Sequence, residues 1–160
     1  AIRYPKGLAR NVDENDIGSG LQARKLVDGT TKRVCILAIG KLVGAALEAA
    51  ETLKASNTDV TVWDVRSCAP LDPAMIADAM QHDVVITAED GIRDGGIGMT
   101  IENTINDLCQ AETGHKCPVV QVLGVPTTFV PTAKPNVILH QMGLDAEGIV
   151  AQVLRALSHD

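Results

Sequence analysis

Four short apolar runs, each followed by a stretch of helical period, constrain this chain more than any other feature of its sequence. The first, residues 34–39, reads V-C-I-L-A-I without a polar interruption. Similar runs occupy residues 60–65, 83–88 and 118–123. Near-continuous apolar strands mark a sheet covered on both faces, because a half-exposed strand would alternate apolar and polar positions. Between the runs, residues 41–56 are rich in Ala and Leu at a period near 3.6, which predicts a helix. Residues 72–81 predict a second helix with Pro73 in its first turn, and residues 95–109 a third, opening on a glycine cluster. A short helix is expected over 137–142 and a last one over 145–157, with Asp145 as its N-cap. Residues 21–27 alternate weakly and run into the turn pair Asp28-Gly29, the pattern of an antiparallel edge strand. Strand–helix alternation of this kind implies right-handed crossovers. The expected fold class is therefore α/β, a three-layer doubly wound arrangement with a mostly parallel sheet and one antiparallel edge strand.

Such a sheet needs a core, and 160 residues with 46% hydrophobic content supply one for a single domain. The chain has one Trp, one Tyr and one Phe, so that core must be aliphatic. Few rings are left to stack on unpaired bases. A net charge of −6 argues against a nucleic-acid or anionic-membrane surface. No apolar run is long enough for a transmembrane helix, and the first residues lack the apolar segment of a signal peptide. A cytoplasmic location is expected. Cys35, Cys68, Cys109 and Cys117 include no C-x-x-C pair. They are expected to be reduced thiols, neither a disulfide nor a zinc framework, with Cys35 as a small core residue.

The first 20 residues fit the alternating pattern poorly. A short strand-like piece is cut by Pro5 and Gly7, and the following stretch is polar, acidic and Gly-containing. Residues 1–20 are expected to be the remnant of a preceding domain with its linker, and residues 21–160 the domain proper.

In a doubly wound sheet, ligands bind at the carboxyl ends of the strands. The glycine-rich stretch A-E-D-G-I-R-D-G-G-I-G, residues 88–98, falls on that edge. Gly95, Gly96 and Gly98 before a helix can turn backbone amides toward an anion. Glu89, Asp90 and Asp94 crowd the same stretch and would repel one. The favoured reading is that these glycines let the helix approach its neighbours closely, with Asp94 as the helix cap. Arg66, at the end of the second apolar run, either meets a ligand or forms a structural ion pair with Glu89. Arg3 and Lys6 flank the rigid Pro5 and are either a phosphate anchor or a solvated pair. His82, His115, His140 and His159 show no metal-ligand spacing, and no nucleophile motif or phosphate loop occurs. The chain is thus expected to hold no catalytic residue and no metal site of its own.

With these residues in view, the chain resembles the C-terminal part of the transketolase-like thiamine-diphosphate enzymes, and among them the 1-deoxy-D-xylulose-5-phosphate synthases. The shared elements are R-Y-P-K-G at 3–7, D-V-R with P-L-D at 64–72, H-D-V-V-I-T-A-E-D at 82–90, G-G-I-G at 95–98, L-G-V-P at 123–126 and G-L-D-A-E-G-I at 143–149. The spacing from Glu89 to Gly95-Gly96-Ile97-Gly98 is common to the superfamily, whereas the first and last elements are closer to the synthases. The resemblance implies an enzyme of three domains that condenses pyruvate with glyceraldehyde 3-phosphate, for isoprenoid-precursor and thiamine biosynthesis. Its first two domains would hold thiamine diphosphate and Mg²⁺, and their metal motif is absent here. This third domain would have the remaining domains of the parent chain as partners, support a homodimer and do little chemistry itself. The resemblance also implies that Lys6, where many members carry arginine, contacts the aldehyde's phosphate, with Arg3 beside it. Two other readings remain: the C-terminal domain of a transketolase or of a 2-oxo-acid dehydrogenase beta subunit, and a non-catalytic anion-binding regulatory or assembly module.

Overall fold

A computed structural model describes residues 11, 13, 14, 17, 18, 20–111 and 116–158. Its centre is a five-stranded sheet in the order β1-β3-β2-β4-β5. The strands are β1 (Arg24–Val27), β2 (Val34–Ala38), β3 (Thr61–Asp64), β4 (Val84–Ile92) and β5 (Val119–Val125). Strand β1 runs antiparallel to β3, and every other neighbouring pair is parallel. The expected fold class is what forms.

The central strands build two cores because their side chains alternate between faces. Val34, Ile36 and Ala38 of β2 point into one core, and Cys35 and Leu37 into the other. Helices α1 (Leu42–Ala55) and α5 (Ala146–Ser158) cover the first face, and α2 (Pro73–Ala79) with α3 (Ile97–Ala111) the second. Small residues Ala46, Ala49 and Ala50 on the buried side of α1 allow it to sit close to the sheet. A short helix, α4 (Pro135–Gln141), precedes α5. The predicted cap at Asp145 forms, and Asp72 caps α2 in the same way. Asp72 accepts the Ala74 amide at 2.8 Å, and Asp145 accepts the Gly148 amide at 2.9 Å.

A polar cluster under the second face replaces part of the missing aromatic packing. Asp78 accepts the indole N–H of Trp63 at 2.8 Å and pairs with Lys25 at 3.1 Å and Lys32 at 3.0 Å. Burial alone would raise its pKa, but these hydrogen bonds and the Lys25 charge hold it at about 2. Beside it His82 is buried and structural, as expected. Its Nδ1 lies 2.8 Å from the Asp78 carbonyl oxygen, which can only accept, so Nδ1 carries the proton. Nε2 is then left to accept from the Thr61 hydroxyl at 3.0 Å, while Thr61 Oγ1 itself accepts the Gly29 amide. Desolvation of the ring lowers the His82 pKa, consistent with a neutral imidazole.

Two expectations need correction. Strand β4, expected to stop at Ala88, continues to Ile92, with a register shift against β5 between Ala88 and Ile92. Part of the glycine-rich stretch is therefore strand and not loop, and alternation along β4 puts Glu89 on the second face with Val85. Cys109 and Cys117, expected as free thiols, form a disulfide, whereas Cys35 and Cys68 are free. The crossover from α3 returns the chain to β5 beside the end of the helix. That brings the two Cα atoms to 5.9 Å, within the usual disulfide range.

Candidate functional site

The chain runs one way from β2 to β3 and the other way from β3 to β4 and β5, so its direction switches between β2 and β4. The loops beyond the carboxyl ends of these strands form the edge where a doubly wound fold binds ligands. Glu89 sits on this edge at the end of the buried part of β4 and is only 6% exposed. Its Oε1 accepts the Gly98 amide at 2.8 Å, in the first turn of α3. A carboxylate there meets the positive end of the helix dipole. Glu89 thus caps α3 from inside the fold.

Gly96 and Gly98 leave the room that this carboxylate and its neighbours occupy. A Cβ on Gly96 would lie 2.5 Å from Glu89 Oε1 and run into the Ile92 carbonyl oxygen. A Cβ on Gly98 would lie 2.5 Å from Thr87 Oγ1 and 2.6 Å from Val122 Cγ1. Gly95 has φ +83°, a left-handed backbone that glycine adopts without strain. The amides an external anion would need are already engaged. Gly95 donates to Met99 Sδ at 3.0 Å, Gly96 to the Arg93 carbonyl at 3.3 Å, and Gly98 to Glu89. The close-approach reading describes Gly96 and Gly98, whereas a Cβ on Gly95 would meet open space and that glycine serves the left-handed turn; Glu89 occupies the position an anion would take. The cap, however, is Glu89 and not Asp94. Asp94 binds Arg93 Nε at 3.0 Å and Thr127 Oγ1 at 3.0 Å, which ties the β4–α3 loop to the loop after β5.

Arg66 and Glu89 are not brought together. Arg66 has φ +55° and turns its guanidinium outward, donating to the Gln22 carbonyl at 2.7 Å and the Gly18 carbonyl at 3.2 Å. It fastens the segment that leads into β1. Asp72, further along the same loop, does likewise, accepting the Ala23 amide at 2.8 Å. The expected ion pair fails because Glu89 is drawn under α3, away from the strand-end surface. Near Glu89, the Cys68 thiol is pushed up by burial and by the Glu89 charge, so it is a poor nucleophile at neutral pH. Arg3 and Lys6 lie outside the described residues. Among the described residues, no group of three or more His, Cys, Asp or Glu is arranged to hold a metal ion. No helix among them is long and apolar enough to cross a membrane.

Around the glycine turn the backbone amides are already engaged, while the buried Thr87 Oγ1 beside Gly98 has no hydrogen-bond partner. What the fold resembles becomes the deciding observation. Residues 22–149 match the family model described as transketolase, C-terminal domain. The chain belongs to the transketolase C-terminal domain family. Among curated relatives, the 1-deoxy-D-xylulose-5-phosphate synthase of Cupriavidus taiwanensis is 37% identical across 96% of this chain, which spans 23% of that relative's length. The enzyme of the same name from Burkholderia cenocepacia is 36% identical across 96% of the chain and 24% of its own length. That of Shewanella oneidensis is 34% identical across 96% and 23%. A solved structure titled a split gene transketolase, inactive beta4 tetramer, superposes with a TM-score of 0.78 at 29% identity, over 93% of this chain and 46% of that one. Transketolase from Campylobacter jejuni, at 18% identity and a TM-score of 0.57, shares the fold.

Sequence reasoning missed the Glu89 cap and offered its carboxylate to Arg66 as one of two readings. The signal was present in the fixed spacing between Glu89 and the Gly-Gly-x-Gly run. A carboxylate and a glycine cluster kept at one distance read naturally as a group and the cradle around it.

Proposed function

We propose that this chain is the third, C-terminal domain of a thiamine-diphosphate-dependent 1-deoxy-D-xylulose-5-phosphate synthase, with residues 1–20 as the end of the preceding domain and a linker. The carrying observation is identity of 34–37% to such synthases across 96% of the chain, while the chain spans less than a quarter of their length. In this reading the whole enzyme condenses pyruvate with glyceraldehyde 3-phosphate, with loss of CO₂. In the same reading, thiamine diphosphate and Mg²⁺ would be held by the upstream domains. The parent would act as a homodimer in the cytoplasm, and this domain alone would be inactive. Lys6, with Arg3, would supply a phosphate contact from the preceding segment.

The region of the gene upstream of residue 1 tests this reading first. It must encode the cofactor-binding domains in the same reading frame. An upstream region without them would contradict the proposal and favour a separately encoded subunit. For the anion-module alternative, calorimetry with inorganic phosphate discriminates: saturable micromolar binding at the Gly95–Gly98 turn would support it, and the engaged amides of Gly95, Gly96 and Gly98 argue against it.

A further inference from the structure

The carboxyl edge carries exposed apolar side chains beyond β4 and β5. Phe129, the chain's single phenylalanine, is 100% exposed, and Ile92 is 50% exposed. With Val125, Pro126 and Thr128 they line a groove of about 700 Å³, whose only charged lining residue is Asp90. Just beyond it, Arg93 and Asp94 neutralise each other. Phe129 and Ile92 share one groove with Val125 and Pro126, and contiguous exposed apolar patches mark contact surfaces.

The path of the chain indicates what covers the groove. Register places Arg24 of β1 opposite Asp64 at the end of β3, so the polypeptide enters the sheet at the carboxyl edge. There Arg66 and Asp72 clamp the Gly18 and Gln22 carbonyls and the Ala23 amide. Ile17 and Leu21, on this incoming segment, are also exposed. Strands β2 and β4 alone separate β3 from β5. The clamp therefore lies about 15 Å from the end of β5, three strand spacings away. Whatever precedes the clamp is delivered to the same edge as the groove.

We propose that the Ile92–Phe129 groove is the docking face for the domain that precedes this one in the parent polypeptide, with Phe129 as its anchor. The inference rests on the proposed reading that the parent carries upstream domains. The complement this groove selects is a largely apolar face with a basic or hydrogen-bond-donating group opposite Asp90, and the clamp at Arg66 makes its docking intramolecular, which raises its effective concentration.

The test uses Thr128→Cys as a reporter, placed in the 160-residue chain and in the full parent polypeptide. Maleimide labelling is followed at residue 128 by peptide mass spectrometry. Thr128 is exposed, so the reporter leaves the fold intact, checked by an unchanged thermal unfolding curve. Docking predicts labelling at least about tenfold slower in the parent than in the free chain, the protection expected of a surface that opens only transiently. Adding Phe129→Asp to the parent should restore the fast rate. Equal rates in chain and parent would overturn the proposal, as would protection that survives Phe129→Asp. Protection in the free chain that grows with its concentration would assign the groove to a second copy and overturn the stated occupant. A parent lacking upstream domains is recognised from its gene before any labelling, so failure of the functional reading is distinguishable from failure of the docking face.

Discussion

Glu89 and Gly98, nine residues apart in the chain, meet through a 2.8 Å hydrogen bond from a buried carboxylate to the first-turn amide of α3. The glycine-rich turn of this family is thereby shown, in this chain, to be a socket for its own acid. The clash positions at Gly96 and Gly98 define the walls of the socket.

The socket sets a stability order for substitutions. Gly98→Ala places a methyl against Thr87 and Val122 and should cost about 1–3 kcal/mol by overpacking. Glu89→Ala strands the Gly98 amide and leaves a void, for a loss of about 2–4 kcal/mol. Glu89→Gln keeps an acceptor oxygen and should lose less than Glu89→Ala. Urea unfolding measures all three, and a Glu89→Gln loss equal to that of Glu89→Ala would show that charge, not the hydrogen bond, matters.

Asp78 gives the fold an acid-sensitive element. Its folded pKa, about 2, lies below the ordinary 3.8, so its contribution is fully present above pH 3.8 and is lost as pH falls through about 2. Solvent screening of the Lys25 and Lys32 partners limits it to about 1 kcal/mol. Comparison of unfolding curves of the natural chain and Asp78→Asn between pH 6 and pH 2 should show a gap that narrows only at the acid end. A gap independent of pH would contradict the assignment.

The two described histidines should titrate in opposite directions. Desolvation lowers His82, whereas the 2.7 Å contact with Asp145 raises His140. For His140 the sign is stability present below pH 6.5 and lost as pH rises through its raised pKa. For His82 the sign is the reverse: the unfolded chain takes up the proton first, so stability falls as pH drops below 6.5. Imidazole NMR titration should place His140 above and His82 below the ordinary value, and the opposite order would refute both environments.

Most of the fold was legible because its signals are local and periodic. The continuous run in β2 required burial on both faces, and the caps at Asp72 and Asp145 are formed within a few residues. What was not legible depends on contacts across the sheet. Strand β4 runs on past Ala88 and carries Glu89 under α3, and the sequence alone does not show that the strand extends this far or that the carboxylate is buried while Asp90 beside it is exposed. Arg66 finds backbone carbonyls of a segment more than forty residues upstream, which no spacing rule identifies. The Cys109–Cys117 pairing likewise arises from the return of α3 to β5, a tertiary fact.

Lys6, in the proposed reading, touches the substrate phosphate. A charge-assisted hydrogen bond of about 1.5–3 kcal/mol means that Lys6→Ala in the parent enzyme should raise KM for glyceraldehyde 3-phosphate roughly ten- to hundredfold, with KM for pyruvate unchanged. Lys6→Arg should preserve or lower it, since the guanidinium fork suits phosphate. An unchanged aldehyde KM in Lys6→Ala would remove this residue from the site.

Release of CO₂ from pyruvate, measured with and without glyceraldehyde 3-phosphate, tests the central claim that this domain serves a synthase whose chemistry lies upstream. The parent polypeptide loaded with thiamine diphosphate and Mg²⁺ should release CO₂ in an aldehyde-dependent manner, and the 160-residue chain under the same conditions should release none. Turnover by the isolated chain, or a loaded parent indifferent to the aldehyde, would contradict the account.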